Sequence, residues 1–283
     1  MTWRKEFWDG LRRPLLVVGC TFLAFMLSVG TLALLLGTWP PFMAVESKSM
    51  QHSDNSSAIG VVDTGDVVVV SSSLVNGKVR TYLGSLQDDY RSFGEYGDVV
   101  IYQAPEDDIP IVHRAICELV YNSTAEGFDI PELAKVPASM WSVPAGDREW
   151  HGLSEWIELF DIGYANVTVH IDLHSLYVSM QDDPHGGLIT MGDNNWKEIN
   201  DQRYGIVDQG SLVQEPIRWS WVIGKVVGEV PWIGTIRLWM TGTAPPYMPA
   251  NSVILLLATV GALAALPAVL WVSAQTLERR RYR

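Results

Sequence analysis

The sequence has only two cysteines among its 283 residues, and they lie in regions of different character. Cys20 falls within a long apolar run, whereas Cys117 lies in the middle of the chain. A disulfide requires two Cα atoms within about 7 Å of each other. Because the two cysteines are expected to lie in different solvents, they give no disulfide framework. We therefore expect the fold to be stabilised by the packing of its core.

Positive charge is scarce except near the two ends of the chain. The formal net charge is −12; the N-terminal tail contributes +2 and the C-terminal tail +3, so the residues between them carry about −17. Binding to phosphates requires a basic face, which excludes nucleic acid as a partner. An acidic domain suits a halophilic, high-salt habitat, where salt screens the repulsion between carboxylates. An ordinary acidic surface is the alternative.

Helical periodicity is also scarce between the ends, and short runs rich in β-branched residues dominate. They predict strands over residues 66–70, 98–102, 109–115, 167–173 and 219–230. A short helix is predicted only over residues 155–160. We therefore expect a mainly β domain with antiparallel strands.

Two apolar runs, at residues 14–37 and 252–274, are long enough to cross a bilayer as helices. Residues 1–13 and 275–283 are then basic cytoplasmic tails, in line with the tendency of positive charge to remain inside. The run near the N-terminus is too long for a cleaved signal sequence. The prediction is a multi-pass protein of the cell membrane whose residues 38–250 form an extracytoplasmic domain.

Residues 119–187 differ from the rest of this domain, with several tryptophans and prolines, and we interpret them as an inserted subdomain. Three sequons, at Asn55, Asn122 and Asn166, fall in the same extracytoplasmic region and agree with its predicted location.

Ser47 and Ser49 lie about a dozen residues beyond the first apolar run, so a serine there would face the far side of the membrane close to the lipid. A serine becomes a nucleophile when a base removes its proton, and the base needs an orienting partner. His113 stands on an apolar strand that could hold such a base. Two aspartates follow, Asp193 in Gly-Asp-Asn and Asp201 eight residues later.

The order of these blocks resembles the type I signal peptidases, most closely the archaeal and endoplasmic-reticulum branch with a histidine base. The blocks are Ser-x-Ser-Met after an anchor, Gly-Asp-Val-Val-Val, Gly-Asp-Val-Val-Ile-Tyr with His-Arg-Ala-Ile, and Gly-Asp-Asn-Asn. A closing Val-Ile-Gly-Lys-Val-Val followed by Val-Pro-Trp-Ile-Gly also agrees. The resemblance covers roughly residues 15–118 and 188–240.

The resemblance implies a signal peptidase-like β fold and a membrane-bound serine endopeptidase, a hydrolase. It implies that Ser49 is the nucleophile, His113 the general base and Ser47 an oxyanion donor. Asp201 is the preferred third triad member, with Asp193 as the other possibility. Lys48 and the pair Gln51-His52 stand where the family has glycine and an acidic residue with proline.

The expected substrates are precursor proteins that bear signal peptides, cut at small-residue sites just outside the bilayer. The partners are therefore these precursors and the lipid bilayer, with the secretion translocon as a further partner, and no cofactor or metal is expected. The stretches 231–233 and 238–240 either dip into the membrane interface or pack in the core.

Three alternatives remain open at this point. The chain could be a non-catalytic, membrane-anchored binding or assembly protein that retains the peptidase fold, or a glycosylated surface-layer component. Separately, His170, Asp172 and His174 follow the alternation of one predicted strand and could ligate a metal.

Overall fold

The computed structural model describes residues 2–281 except 74–78, 106–108, 145–148 and 182, with side chains described between residues 15 and 267. Two long helices, α1 (Thr2–Leu36) and α5 (Ala250–Arg281), enclose a mainly β region in the sequence. The prediction of a mainly β protein with an apolar helix near each end is thus confirmed. α1 begins at Thr2, so the predicted N-terminal tail is itself helical.

The β region contains short helices as well as strands. The helices are α2 (Tyr82–Ser85), α3 (Leu173–Ser179) and α4 (Gly234–Thr241). The described strands are β1 (Phe42–Ala44), β2 (Val67–Ser71), β3 (Arg91–Ser92), β4 (Glu95–Tyr96), β5 (Val99–Tyr102), β6 (Ile111–Asn122), β7 (Gly127–Asp129), β8 (Trp141–Ser142), β9 (Trp156–Ile162), β10 (Val167–Asp172), β11 (Gly187–Ile199), β12 (Gln202–Val207) and β13 (Val222–Val230).

One large sheet organises the region, in the order β1-β2-β13-β5-β6-β11-β12-β10-β9-β8, with β7 paired to β6. The pairs are antiparallel except β10 with β12, which is parallel. β1 pairs with β2 alone within the described chain, so β1 is an edge strand. β3 and β4 form a separate small hairpin.

The predicted helix over residues 155–160 is wrong, because these residues form most of β9. The segment Trp156-Ile-Glu-Leu-Phe alternates in burial, with Ile157 and Leu159 fully buried. β9 pairs with β10 on one side and β8 on the other. Cross-strand pairing and burial of alternate residues thus outweigh the local helical pattern.

The segment 119–187, interpreted from the sequence as an inserted subdomain, extends the main sheet. β10 pairs with β12, which in turn pairs with β11 of the flanking sequence. One hydrophobic cluster joins Phe128 and Ile157 of this segment with Ile116 and Ile189 outside it. Both parts of the chain therefore share a core.

Within the described residues, two helical stretches are long and apolar enough to cross a membrane, Leu15–Leu36 and Ala250–Pro267. None of the first stretch is buried against the protein, and only about a tenth of the second is. Exposed apolar side chains of this number are unusual for a surface in contact with water, so the two helices are compatible with membrane association.

The aromatic residues after β13 divide between core and surface. Trp232 is only 9% exposed, and its Nε1 donates to Ser57 Oγ at 2.9 Å. In contrast, three side chains on α4 are exposed: Ile236 at 42%, Trp239 at 48% and Met240 at 84%. The alternative of core packing therefore applies to Trp232, whereas the outer face of α4 is open.

We predict that Ile157→Ala lowers the free energy of unfolding by about 2–5 kcal/mol, because the truncation leaves a cavity in the shared core. Ile199→Ala is the matched control, since Ile199 is 45% exposed and should change stability by only about 0.5 kcal/mol. Urea denaturation of the detergent-solubilised chain measures both. Equal losses in the two variants would contradict a continuous core.

Candidate active site

The serine pair lies in a turn that follows the edge strand β1. Ser47 Oγ and Ser49 Oγ are 3.0 Å apart and hydrogen-bonded to each other. Gln51 N donates to Lys48 O, which closes the turn, and the next residue inward, Met50, is buried. The turn thus presents two neighbouring hydroxyl groups and anchors its far end in the core.

The turn at residues 63–66 is hydrogen-bonded to the segment that leads into the serine turn. Thr64 Oγ1 donates to Ser47 O at 2.9 Å, and Gly65 N donates to Val45 O at 3.0 Å. In return, Val45 N donates to Asp66 O at 2.9 Å. These bonds fix the main chain of the serine segment on one side.

The Gly-Asp-Asn segment holds the serine turn from the other side. Asn194 N donates to Ser49 O at 2.7 Å, and Asn194 Nδ2 donates to Lys48 O at 3.1 Å. A Cβ atom on Gly192 would lie 2.6 Å from Ser49 O. Only glycine permits this close approach, which explains its place in the segment.

Gly192 to Asn194 lie within β11, whereas the sequence indicated a turn. The pairing of β11 with β12 shifts between Met191 and Trp196, so the strand is irregular there. Irregularities of this kind redirect side chains next to functional sites, and here they bring Asn194 to the serine turn.

His113 pairs with a buried aspartate that sequence reasoning missed. Its Nδ1 atom lies 2.8 Å from both carboxylate oxygens of Asp208, and both residues are almost fully buried. The Asp208 carboxylate also accepts from Tyr102 OH at 2.7 Å and from Thr190 Oγ1 at 2.6 Å. These donors compensate for burying the carboxylate and fix its orientation toward the imidazole.

Asp201, the preferred partner of His113 from the sequence, lies elsewhere. It is exposed, at the tip of the hairpin that joins β11 to β12, with a positive φ of 62°. The hairpin pairs Ile199 with Gln202 and Met191 with Val207. Asp208 therefore lies at the end of β12 nearest to β6, whereas Asp201 lies at the opposite end of the hairpin.

Asp193 belongs to a second buried pair rather than to His113. Arg114 donates to both oxygens of Asp193 at 2.7 Å, and His52 Nε2 lies 2.9 Å from Asp193 Oδ2. Burial alone would raise the pKa of Asp193, but the charge and hydrogen bonds of Arg114 lower it below its usual value. His52 also stacks on Tyr164, with ring centroids 4.2 Å apart.

Through this second pair, His52, which follows the serine turn, is bonded to Asp193 of β11 and thereby connected to Arg114 of β6. His52 provides this contact through its ring nitrogen Nε2. Asp193 is thus a structural support of the site in this arrangement.

Ser47, Ser49 and His113 line one cleft of about 1010 Å³. The imidazole Nε2 of His113 has no hydrogen-bond partner within the described part of the chain, and His113 contributes to the lining of this cleft. Most of the other lining residues are apolar and belong to β1, to the start of β6 or to residues directly next to these strands: Phe42, Met43, Ala44, Val45, Ile109, Pro110, Ile111 and Val112. Residues of the edge strand β1 and of β6, which are separated by three strands in the sheet order, thus line the same cleft.

Lys48, between the two serines, points toward Tyr247, which lies just before the C-terminal helix α5. Its Nζ lies 5.9 Å from the centre of the Tyr247 ring, within the range of a cation–π contact. Lys48 is not among the described non-glycine residues with positive φ, so a side chain is accommodated at this position without strain.

The alternating polar residues of β10 have other roles. Asp172 caps α3 by accepting from Ser175 N at 2.8 Å and from Ser175 Oγ at 2.7 Å. His170 Nδ1 lies 3.5 Å from Glu158 Oε1, and His174 belongs to α3. No group of three metal-ligating side chains with suitable placement occurs within the described residues.

No known family model matches the chain, and no curated protein matches it.

Three acidic side chains, Asp63, Asp66 and Glu229, lie close together next to the segment that leads into the serine turn, where Val45 N donates to Asp66 O. Burial raises the pKa of Asp66 to about 7, against the opposing effect of hydrogen bonds from Trp232 N and Asp63 N. The neighbouring carboxylates of Asp63 and Glu229 raise it further. Between about pH 4 and pH 7, Asp66 is therefore mainly neutral in the folded protein, whereas it would be mainly ionised in the unfolded chain.

We predict that this carboxyl group makes the folded state less stable as the pH rises from about 4 to about 7. Well below pH 3.8 the group is protonated in both the folded and the unfolded state. Above pH 7 the folded state is destabilised by the full amount, up to about 4 kcal/mol for a pKa raised from 3.8 to about 7. The free energy of unfolding at pH 5 and pH 8 should therefore differ less in Asp66→Asn than in the wild type. An equal difference in both proteins would contradict the assignment.

Proposed function

We propose that the chain is a membrane-bound serine endopeptidase of the signal peptidase type, with Ser49 as nucleophile, His113 as general base and Asp208 as the orienting carboxylate. The observation that carries the proposal is the buried His113–Asp208 pair at a cleft that also contains Ser49 and Ser47. A buried histidine held by a carboxylate, in a cleft that also contains an accessible hydroxyl, supplies the groups that activate a serine.

In this mechanism Nδ1–H of His113 donates to Asp208, which leaves the lone pair of Nε2 free to accept the proton of Ser49. The Ser49 oxygen then attacks the scissile carbonyl carbon and an acyl-enzyme forms as the C–N bond breaks. The imidazolium returns its proton to the leaving amine. Water, deprotonated by the same Nε2 atom, hydrolyses the ester. Asp208 stabilises the imidazolium in both steps.

Ser47 would stabilise the negative charge that develops on the carbonyl oxygen. Its hydroxyl lies 3.0 Å from Ser49 Oγ, close enough that a small rotation would direct it to an oxyanion formed at Ser49. The Ser49 N–H is the second donor in this proposal. Such donors contribute most when they are held in place before the reaction, as the bonds from Thr64 and Asn194 to this turn do.

The substrate would bind as an extended peptide along the cleft. Among the described residues, β1 pairs along one edge only, and β6 pairs with β11 only from Arg114 onward. Residues 111–113 therefore also offer main-chain groups. An extended peptide could add to such an edge, with its side chains in the apolar lining. This lining suits apolar residues near the cleavage site of a secretory precursor.

The two apolar helices would anchor the domain in the cell membrane with both termini in the cytoplasm, so that the site faces outward. The exposed face of α4, with Ile236, Trp239 and Met240, would then contact the lipid interface, where aromatic residues are favoured. Arg237 on the same helix lines the cleft and pairs with Glu46 at 2.5 Å. The substrate-binding cleft thereby opens close to the membrane surface.

We predict that Ser49→Ala abolishes cleavage of a signal-peptide-bearing precursor by the full-length chain in detergent, a loss of about 10⁶-fold. Ser56→Ala is the matched control because Ser56 is exposed and lies outside the cleft, and it should cleave as the wild type does. Electrophoresis of the precursor measures the product. Equal cleavage by Ser49→Ala and the wild type, or no cleavage by either, would contradict the proposal, and the second outcome favours a non-catalytic binding protein.

We further predict that Asp208→Asn lowers kcat by about 10⁴-fold, because the amide favours the wrong imidazole tautomer. Asp201→Asn provides the control, and its kcat should remain within twofold of the wild type. Steady-state kinetics on the same precursor measures both. A larger loss in Asp201→Asn than in Asp208→Asn would restore the assignment made from the sequence.

A further inference from the structure

The first turn of α5 is hydrogen-bonded to residue 57, in the segment that follows the serine turn. Asn251 Oδ1 accepts from Ser57 N at 2.7 Å, and Asn251 Nδ2 donates to Ser57 O at 3.0 Å. Both polar groups of one main-chain position are therefore satisfied by a single side chain of the helix. Ser57 is only 6% exposed, so water competes little for these bonds.

The residues just before α5 contact the serine turn itself. Tyr247 OH donates to Glu46 O at 3.4 Å, and Lys48 Nζ lies over the Tyr247 ring. The side chain of Gln51, which is fully buried, donates to Tyr247 O at 3.4 Å and accepts from Thr64 N at 3.4 Å. These bonds are long, but they converge on the two ends of the Ser47–Ser49 turn.

The contact surface of α5 is one-sided. Ser252 and Leu256 are buried, at 0% and 3% exposure, whereas Ile254 and Leu257 are 68% and 65% exposed. Ser252 and Leu256, one turn apart, thus face the domain, whereas Ile254 and Leu257 face outward, as helical geometry allows. The start of α5 is therefore packed against the domain rather than attached only by its chain connection.

Residues 51–58 have no helix or strand of their own. Backbone without regular structure depends on side chains to fix its position, and the contacts to Asn251 and Tyr247 supply part of that support. If residues 51–58 move, the serine turn before them moves relative to His113. Catalytic rates fall steeply with displacements of about 1 Å.

We propose that Asn251 and Tyr247 are positioning residues through which the C-terminal helix holds Ser49 in place for the reaction. The inference rests on the proposed function for its catalytic consequence, while the mechanical contact between α5 and residues 51–58 can be tested separately. On this account α5 is part of the active-site support as well as an apolar anchor.

The test compares Asn251→Ala with Asn55→Ala in the full-length chain in detergent. Alanine favours helix at position 251, so α5 itself should not be weakened. Asn55 is exposed in the same segment, which makes it the matched control. Asn251→Asp retains the acceptor for Ser57 N and should recover part of any loss. Two readouts are taken: amide hydrogen exchange of residues 50–58, with residues 156–162 as internal reference, and kcat and KM on a signal-peptide-bearing precursor.

We expect Asn251→Ala to speed exchange in residues 50–58 roughly tenfold, as loss of such hydrogen bonds implies, with no change in residues 156–162. We expect kcat to fall at least about fivefold with KM within twofold. Asn251→Asp should lie between this variant and the wild type, and Asn55→Ala should match the wild type.

Unchanged exchange in residues 50–58, or a uniform acceleration that includes residues 156–162, would overturn the inference. Local acceleration with an unchanged kcat would overturn the positioning role. A wild-type chain that cuts no precursor would contradict the proposed function, and the exchange comparison alone would then decide whether α5 holds the segment.

Discussion

Two adjacent side chains of β6 each pair with a buried aspartate, and the arrangement of the site depends on these two pairs. His113 pairs with Asp208 and Arg114 with Asp193. Successive side chains of a strand point to opposite faces, so β6 supports the candidate base on one face and the connection to the serine turn on the other. Breaking either pair would leave a buried polar or charged group without compensation, which is costly.

The pairs also explain why the serine turn needs no regular structure of its own. Asp193 holds His52 just after the turn, Asn194 bonds the turn directly, and Thr64 bonds it from behind. These supports come from two distant parts of the chain, the adjacent residues Asp193 and Asn194 in β11 and Thr64 in the turn before β2. The relative placement of Ser49 and His113 is therefore a property of the assembled sheet, and local sequence near the serines determines only part of it.

Several features of the fold could be predicted from residue patterns. The uniformly apolar runs Val67–Val70 and Val99–Tyr102 predict strands, and they lie in β2 and β5. The residue patterns also indicate Ser47, Ser49 and His113 as candidates, and the structure brings them to one cleft. The helix predicted for residues 155–160 is wrong because the pairing partners of this segment, β8 and β10, are not apparent from local periodicity.

The aspartate partner of His113 could not be found by spacing, because the β11–β12 hairpin decides which carboxylate returns to β6. Asn200 and Asp201 both adopt positive φ at its tip, and asparagine and aspartate tolerate that conformation. A turn at Asn200-Asp201 implies by antiparallel pairing that the acidic residue at the end of β12 returns to the neighbourhood of β6. The signal in the sequence is that Asp208 directly follows the apolar pair Ile206-Val207.

The most direct test of the account is covalent labelling by a serine-directed phosphonylating reagent, with the modified peptide identified by mass spectrometry. The account predicts that the wild type is labelled at Ser49 and that His113→Ala is labelled at least about 100-fold more slowly, as loss of a general base implies. Labelling of Ser49 at the same rate in both proteins, or labelling that favours Ser47, would contradict activation of Ser49 by the His113–Asp208 pair.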